Sequence, residues 1–187
     1  MALGATVYHF EIAFSDTDRG VYQSLDLRAA RHPSETLRYL LTRTLALCLL
    51  WEDGIAFSHG LSTTAEPAVW VREPDGRIRL WVDIGQPSAE RLHRASKASE
   101  RVVVVTENPD GLRRATAGER IHRAETIGVL AAPSSLLDAL EERTGRHARW
   151  EAVHTGGSLY VTSEGRTDEG VFVSSALIWP SRMSAAI

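Results

Sequence analysis

The sequence predicts a single-domain α/β protein, in which helices flank a mixed β-sheet and antiparallel hairpins stand at both ends. Its 187 residues are the length of one domain, and no repeat or Pro-, Gly- or Ser-rich linker divides residues 1–187. Hydrophobic residues make up 43% and charged residues 24%, as in soluble globular proteins. Between residues 78 and 105 a strand, a helix and an apolar strand follow one another, which indicates a βαβ unit with parallel strands.

The N-terminal third predicts a hairpin followed by a buried helix. Residues 5–14 alternate as a strand, residues 15–20 form a turn, and residues 21–27 predict a second strand. The segment 32–36, HPSET, has the proline and glutamate that suit a first helical turn. Leucines at helical spacing carry this helix to about residue 51, so it is expected to be central to the core.

The rest of the chain predicts a second hairpin, the βαβ unit and a strand-rich C-terminal part. In order, the patterns predict a loop at 60–67, strands at 69–73 and 78–84 around a turn at 74–77, a helix from Ser88 to about residue 99, a strand at 102–105, a turn at 108–111, a basic helical stretch to about residue 123, a strand at 127–131, a helix at 133–144, and strands at 149–154, 158–162 and 170–178.

Charge and cysteine content limit the classes of partner and compartment. The net charge is −3, so no global positive field draws the protein to nucleic acid, although a local basic groove can still do so. Cys48 is the only cysteine, which excludes an internal disulfide and favours a reducing compartment. Residues 1–14 lack the pattern of a signal peptide, and the apolar stretch 37–51 is too short to span a bilayer. We therefore expect a cytoplasmic protein with no membrane partner.

Candidate functional residues are acids at the edges of predicted elements, since phosphate-binding glycine loops, zinc patterns and nucleophile elbows are missing from the sequence. Asp83 ends an otherwise apolar strand on the same face as Trp81, and Gln86 follows that strand. Glu35 lies in the first turn of the central helix, and Glu66 precedes the second hairpin. Carboxylates are the ligands that hard divalent cations such as Mg²⁺ prefer, so these acids predict a metal-dependent phosphodiester site.

Each of these acids also has a structural explanation. Asp83 is equally compatible with capping the next helix or pairing with Arg79. Glu35 complements the helix dipole, and Glu66 alone is an ordinary loop acid.

A basic stripe follows Asp83 along the next predicted helix. Arg91, Arg94 and Lys97 are spaced by three residues, which places them on one helical face. Such a stripe can contact phosphate groups, although a solvated face in which Glu90 pairs with Arg94 explains the same spacing.

Six segments of the chain are distinctive: MALGATVYHF at 1–10, ARHPSET at 30–36, GLS at 60–62, EPAVW at 66–70, LWVDIGQP at 80–87 and RLHRA at 91–95. They resemble the YaeQ family, firmly from residue 1 to about residue 105 and weakly beyond it. The resemblance implies a fold similar to the restriction-endonuclease-like PD-(D/E)xK nuclease core, in a circularly permuted form.

Carried onto this chain, the resemblance implies that Glu35, Glu66 and Asp83 hold Mg²⁺ or Mn²⁺, with Gln86 beside them. The basic role would go to Arg94, where relatives have lysine, or to Lys97 one turn later. This chain departs from the family pattern at Ala68, where relatives often have an acid, and at Asp83, which is one carbon shorter than the usual glutamate. Arg94 also cannot give up a proton near neutral pH.

Two functions follow from these residues. The first is a Mg²⁺- or Mn²⁺-dependent nuclease or phosphodiesterase that acts on DNA or RNA. The second is a module on a nuclease-like fold that binds nucleic acid or a protein without cutting, which the departures favour; a purely structural adaptor is a third reading. In the binding module, phosphates would be contacted by arginines 91, 94, 113, 114, 120 and 123.

Overall fold

The computed structural model describes residues 5–58 and 66–178, which form one α/β domain with two mixed sheets. Its elements, in chain order, are β1 (Thr6–Asp16), β2 (Val21–Arg31), α1 (Leu37–Leu49), β3 (Ile55–Phe57), β4 (Val69–Arg72), β5 (Ile78–Ile84), α2 (Ala89–Ala98), β6 (Ser99–Thr106), α3 (Pro109–Thr116), a 3₁₀ turn (Ala124–Thr126), β7 (Gly128–Ala131), α4 (Ser134–Arg143), β8 (His147–Thr155), β9 (Ser158–Ser163), β10 (Arg166–Val171) and β11 (Val173–Ala176).

The first sheet, sheet 1, has the strand order β10-β9-β8-β1-β2. The predicted hairpin is confirmed, because β1 and β2 pair along their whole lengths from Thr6–Arg31 to Asp16–Val21. On its other side β1 pairs with β8 in parallel, beginning at His9 and His147. Sheet 1 therefore joins the N-terminal hairpin to the later strands β8, β9 and β10.

The second sheet, sheet 2, has the order β11-β7-β6-β5-β4-β3. Strands β5, β6 and β7 are parallel, and α2 connects β5 to β6, which confirms the predicted βαβ unit. The β4–β5 hairpin is also confirmed, with the backbone N–H of Gly76 donating to the carbonyl of Glu73 in its turn. The parallel strands β5 and β6 end at the same edge of sheet 2.

Two apolar clusters fill the interior. The larger one lies between the two sheets and includes α1, α4, Leu80 and Val82. The smaller one covers the opposite face of sheet 2, where Trp81 packs with Leu92 of α2 and Leu112 of α3. The alternation predicted for β5 is confirmed, since Leu80 and Val82 face one cluster and Trp81 the other.

The structure corrects several expected elements. A second sheet replaces the single mixed sheet, and β3, a strand of 3 residues, was not predicted. The basic helix ends at Thr116 rather than about residue 123, because Gly118 adopts a φ of 78° that a helix does not accept. The strand expected at 170–178 is divided, with β10 in sheet 1 and β11 in sheet 2. Most of the loop predicted at 60–67 lies outside the described residues.

Within the ranges 5–58 and 66–178, every helix is too short or too polar to cross a lipid bilayer.

We expect Gly170→Ala to destabilise the fold by about 1–3 kcal/mol, the usual effect of overpacking. A Cβ atom at Gly170 would lie 2.5 Å from Cγ of Pro133 and 2.8 Å from Cδ2 of Leu136, where β10 meets α4. Urea unfolding measures the change. Gly145→Ala is the control, because a Cβ there meets nothing closer than 3.9 Å; equal losses in both variants would contradict the packing argument.

Candidate functional site

The start of α1 lies against the edge of sheet 2 where β5 and β6 end. Arg38 in the first turn of α1 donates two hydrogen bonds to Glu107, directly after β6, with N–O distances of 2.7 and 2.6 Å. At the same edge, the side chain of Gln86 donates to Thr106 Oγ1 and to the carbonyl of Asn108, at 2.9 and 2.8 Å. Ligands of α/β proteins commonly bind at such strand ends.

Glu35 is a buried acid with a buried arginine as its partner. Its Oε1 lies 3.0 Å from Nε of Arg43, and the two side chains are 5% and 2% exposed. Its Oε2 accepts a hydrogen bond from the backbone N–H of His32, at 3.1 Å. Burial raises the pKa of Glu35, and the positive charge of Arg43 only partly offsets this. Glu35 also lines a surface cavity of about 270 Å³ with His32, Ser34, Thr36 and Tyr39.

Asp83 is also buried, with 2% of its side chain exposed, and is bound by Arg91. Nε of Arg91 donates to Oδ2 at 2.8 Å and Nη2 donates to Oδ1 at 2.6 Å, which is the bidentate geometry of the strongest arginine–carboxylate pairs. The guanidinium carbon lies 5.7 Å from the centre of the Trp81 ring. Asp83 therefore forms an ion pair, as one of its two structural explanations expected. The expected partner was wrong, because the arginine is Arg91 and not Arg79.

Glu66 meets the same arginine through its backbone. Nη2 of Arg91 donates to the carbonyl oxygen of Glu66 at 2.7 Å. The carboxylate oxygen Oε2 of Glu66 is buried and accepts no hydrogen bond within the part of the chain that the structure describes. Arg91 thus links the segment that contains Glu66 to the end of β5.

Tyr39 lies within electrostatic range of both Glu35 and Asp83. Burial raises the pKa of its phenol, and the negative charges of Asp83 and Glu35 raise that pKa further. The predicted acids therefore occupy one region, which we call the sheet-edge site and define by Glu35, Tyr39, Glu66, Asp83 and Arg91. Tyr39 was missed by sequence reasoning. Glu35 was expected in the first turn of the helix, but α1 begins at Leu37 after the N-cap Thr36, so Glu35 lies just before the helix and Tyr39 within its first turn.

Arg94 and Lys97, to which the basic role was assigned, are exposed at the surface of α2. The side chain of Arg94 is 59% exposed and lies 3.9 Å from Glu90, as in the solvated-face alternative, and Lys97 is exposed as well. Arg91 contacts Asp83 because it lies in the first turn of α2, next to the strand end. Helical side chains lean toward the N-terminus of their helix, which directs Arg91 back toward β5.

A second cluster lies at the opposite end of the fold, where the β1–β2 turn meets the end of β8. Donor atoms of Asp16, Asp18 and His154 lie within 4.8 Å of one another and could hold a metal ion. Among the described residues this is the one group of three such ligands at that spacing, so Glu35, Glu66 and Asp83 are farther apart.

The residues of this second cluster already have protein partners. Nε of Arg19 donates to Oδ2 of Asp16 at 2.6 Å, and Nδ1 of His154 lies 3.1 Å from the same oxygen. Burial alone would raise the pKa of Asp16, but the hydrogen bonds from Arg19 and His154 outweigh it and hold that pKa below its usual value. Asp16 and Asp18 were expected only as turn residues, because nothing in the local sequence indicates that His154 folds beside them.

Comparisons with known proteins place the chain in a family. The model of the family described as "YaeQ protein" matches residues 1–170. Proteins described as "Uncharacterized protein YaeQ" from Escherichia coli (strain K12) and Shigella flexneri are each 34% identical to it over 108 residues, or 58% of this chain. The matched segment spans 60% of the length of each of these relatives.

Solved structures agree with this match. The crystal structure of the YaeQ protein from Xanthomonas axonopodis pv. citri has a TM-score of 0.84 and 30% identity, covering 92% of this chain and 98% of that one. The YaeQ protein from Pseudomonas syringae has a TM-score of 0.79 and 31% identity, covering 90% and 94% of the two chains. With the family model matching nine tenths of the sequence, the chain belongs to the YaeQ family.

Proposed function

We propose that the protein is a divalent-cation-dependent phosphodiesterase that acts on nucleic acid through the sheet-edge site, on a restriction-endonuclease-like PD-(D/E)xK core. The observation that carries the proposal is that Arg91 joins the carboxylate of Asp83 to the backbone of Glu66 at the edge where β5 and β6 end. Glu35 lies just before α1, and the charges of Glu35 and Asp83 both raise the pKa of Tyr39. Buried carboxylates repel one another, so a protein that keeps them close needs cations to offset their charge.

The site offers the carboxylate oxygens that a hard cation prefers, although three of them do not lie within 4.8 Å of one another as the donor atoms of the second cluster do. Glu35, Glu66 and Asp83 would hold Mg²⁺ or Mn²⁺, which prefer carboxylate oxygens. The buried Oε2 of Glu66 accepts no hydrogen bond from the described residues, so it has lone pairs available to a ligand. When bound, such an ion polarises a phosphoryl oxygen and lowers the pKa of a water molecule.

The other side chains would bind and orient the substrate. The guanidinium of Arg91 matches the geometry of a phosphate group. Arg94 and Lys97 continue along α2 toward solvent, where they would contact neighbouring phosphates. Gln86 fixes the ends of β5 and β6 relative to each other through its two hydrogen bonds.

A cleavage assay tests the proposal. Single- and double-stranded DNA and RNA are incubated with Mg²⁺, Mn²⁺ or EDTA, and we expect cleavage only with a cation. Asp83→Asn and Glu66→Gln should each reduce the rate by at least about a hundredfold, the scale on which individual catalytic groups act. Glu90→Gln on α2 is the control, because it makes the same change of acid to amide at an exposed position.

Cleavage that survives both substitutions would eliminate the sheet-edge site. A separate control for cation binding is His154→Gln, which alters the cluster at Asp16 and should leave cleavage unchanged.

The bidentate pair of Asp83 and Arg91 supports a second candidate function, a module that binds without cutting. An arginine that already neutralises Asp83 removes the need for a cation, and Ala68 removes one of the family's acids. Of the six arginines expected to contact phosphates, Arg94, Arg114, Arg120 and Arg123 are exposed. Arg113 is half-buried, and both Arg113 and Arg123 hydrogen-bond to backbone carbonyls.

Binding assays separate this function from the first. We expect such a module to bind nucleic acid in EDTA, with an affinity that falls steeply as salt rises. Nucleic-acid affinity that ignores ionic strength would favour a protein partner instead.

A further inference from the structure

Arg91 occupies the oxygens of Asp83 that a cation would need. Its two N–H groups bind both carboxylate oxygens, at 2.8 and 2.6 Å, and the carboxylate is almost fully buried. In so dry an environment a guanidinium opposes a divalent ion at the same carboxylate, because it occupies lone pairs on both oxygens and its positive charge repels the ion.

Two further contacts hold the guanidinium in this position. Nη2 donates to the carbonyl of Glu66, and the group lies near the face of Trp81. These contacts hold the guanidinium beside Asp83, whereas Arg94 three residues later is exposed.

A phosphate group is the partner that would draw Arg91 away from Asp83. Its oxygens accept the same pair of parallel N–H bonds as a carboxylate and carry a comparable or greater negative charge. The chemistry of the exchange is thus symmetric: one anion replaces another on the guanidinium, and the freed carboxylate takes up a cation.

We propose that Arg91 is a positioning residue that couples cation binding to phosphate binding. Without nucleic acid it neutralises Asp83 and opposes the entry of a divalent ion. When a phosphodiester binds, Arg91 pairs with its phosphate and leaves Asp83 to the cation. This inference rests on the proposed function, because it assigns the cation and the phosphate to the same sheet-edge site.

The test measures Mn²⁺ binding to the intact protein without substrate, by electron paramagnetic resonance and by the shift of the thermal midpoint. Arg91→Met should bind Mn²⁺ at least about tenfold more tightly than the wild type, since its competitor is gone. The same variant should gain more thermal stability from Mn²⁺ than the wild type does. Arg91→Lys keeps the positive charge but has one ammonium nitrogen in place of the bidentate guanidinium, so its increase in Mn²⁺ affinity should be smaller.

Two controls locate the effect. Arg77→Met removes an arginine from Asp75, an exposed carboxylate, and should leave Mn²⁺ affinity unchanged. Adding Asp83→Asn to Arg91→Met should abolish the gain, whereas His154→Gln should not affect it. A gain that survives Asp83→Asn, or appears equally in Arg77→Met, would overturn the inference.

The inference also fails if Arg91→Met and Arg91→Lys bind Mn²⁺ no more tightly than the wild type, including the case in which none of them binds it. Should Arg91→Met not fold, the Arg91→Lys comparison decides alone. Tighter Mn²⁺ binding without cleavage by any variant would retain the role of Arg91 and reject the phosphodiesterase. Cation-dependent cleavage with unchanged Mn²⁺ affinity in both variants would do the reverse.

Discussion

Replacing Arg43 with methionine is expected to lower the free energy of unfolding by about 3–5 kcal/mol, the cost of leaving a buried charge without its partner. Arg43 is almost fully buried in α1, and its removal strands the equally buried carboxylate of Glu35. The variant also loses a hydrogen bond of 2.7 Å from Nη2 to the carbonyl of Ala30, and the contact with the Phe57 ring at 4.9 Å. Urea unfolding measures the loss.

The matched control removes the stranded charge. Adding Glu35→Gln to Arg43→Met replaces a buried ion with a neutral amide, so much of the lost stability should return. If the double variant is as unstable as Arg43→Met alone, packing rather than charge explains the effect.

The stability deficit of Arg43→Met should depend on pH in a direction that the pKa of Glu35 determines. Burial raises the pKa of Glu35 above 4.5, so the native state holds this proton more tightly than the unfolded chain. Ionisation of Glu35 therefore lowers stability as pH rises from 4.5 through the raised pKa. Arg43 limits that rise, and without it the pKa moves higher. The deficit of Arg43→Met relative to the wild type should thus be smallest in acid and grow toward neutral pH, and a deficit that shrinks instead would contradict this account.

Phe10→Ala is expected to cost about 3–5 kcal/mol, the range for deleting a buried aromatic ring. Phe10 lies on β1, which is paired between β8 and β2 in sheet 1, and is fully buried in the larger cluster. Its ring centre is 5.0 Å from that of Trp150 on β8, the parallel neighbour of β1. The deletion would leave a cavity between the two sheets, because strands paired on both sides cannot collapse into it.

Phe10→Leu keeps most of the apolar volume and should cost much less than Phe10→Ala, as volume-conserving changes do. Tyr22→Ala controls for general effects of losing a ring from sheet 1, because Tyr22 is 65% exposed. The explanation is wrong if Tyr22→Ala and Phe10→Ala destabilise the fold equally in chemical denaturation.

Local sequence patterns predicted the elements whose partners are close in the chain. The β1–β2 and β4–β5 hairpins and the βαβ unit all pair neighbouring strands, so the turn between them carries the information. The division into two sheets depends on β1 meeting β8, for example His9 beside His147, and no local periodicity specifies so distant a partner. A strand as short as β3 shows no alternation that could be read.

The sequence predicted the acids of the candidate site but not the arginines that bind them. Glu35 and Asp83 were selected because they stand at element edges, and the structure brings both near Tyr39. The arginine that pairs with Asp83 could not be predicted from the sequence. Arg91, Arg94 and Lys97 share one face of α2, and only the short connection after β5 determines that Arg91 reaches Asp83. The cation-binding role of these acids stays a prediction.

The position of β1 between β2 and β8 in sheet 1 has a consequence for synthesis on the ribosome. The first hairpin emerges early, but one side of β1 has no backbone partner until β8, more than 130 residues later, has left the exit tunnel. An open strand edge of this length readily pairs with other chains. Nascent chains that stall before β8 should therefore be prone to aggregation and depend on chaperones, whereas the completed polypeptide covers that edge itself.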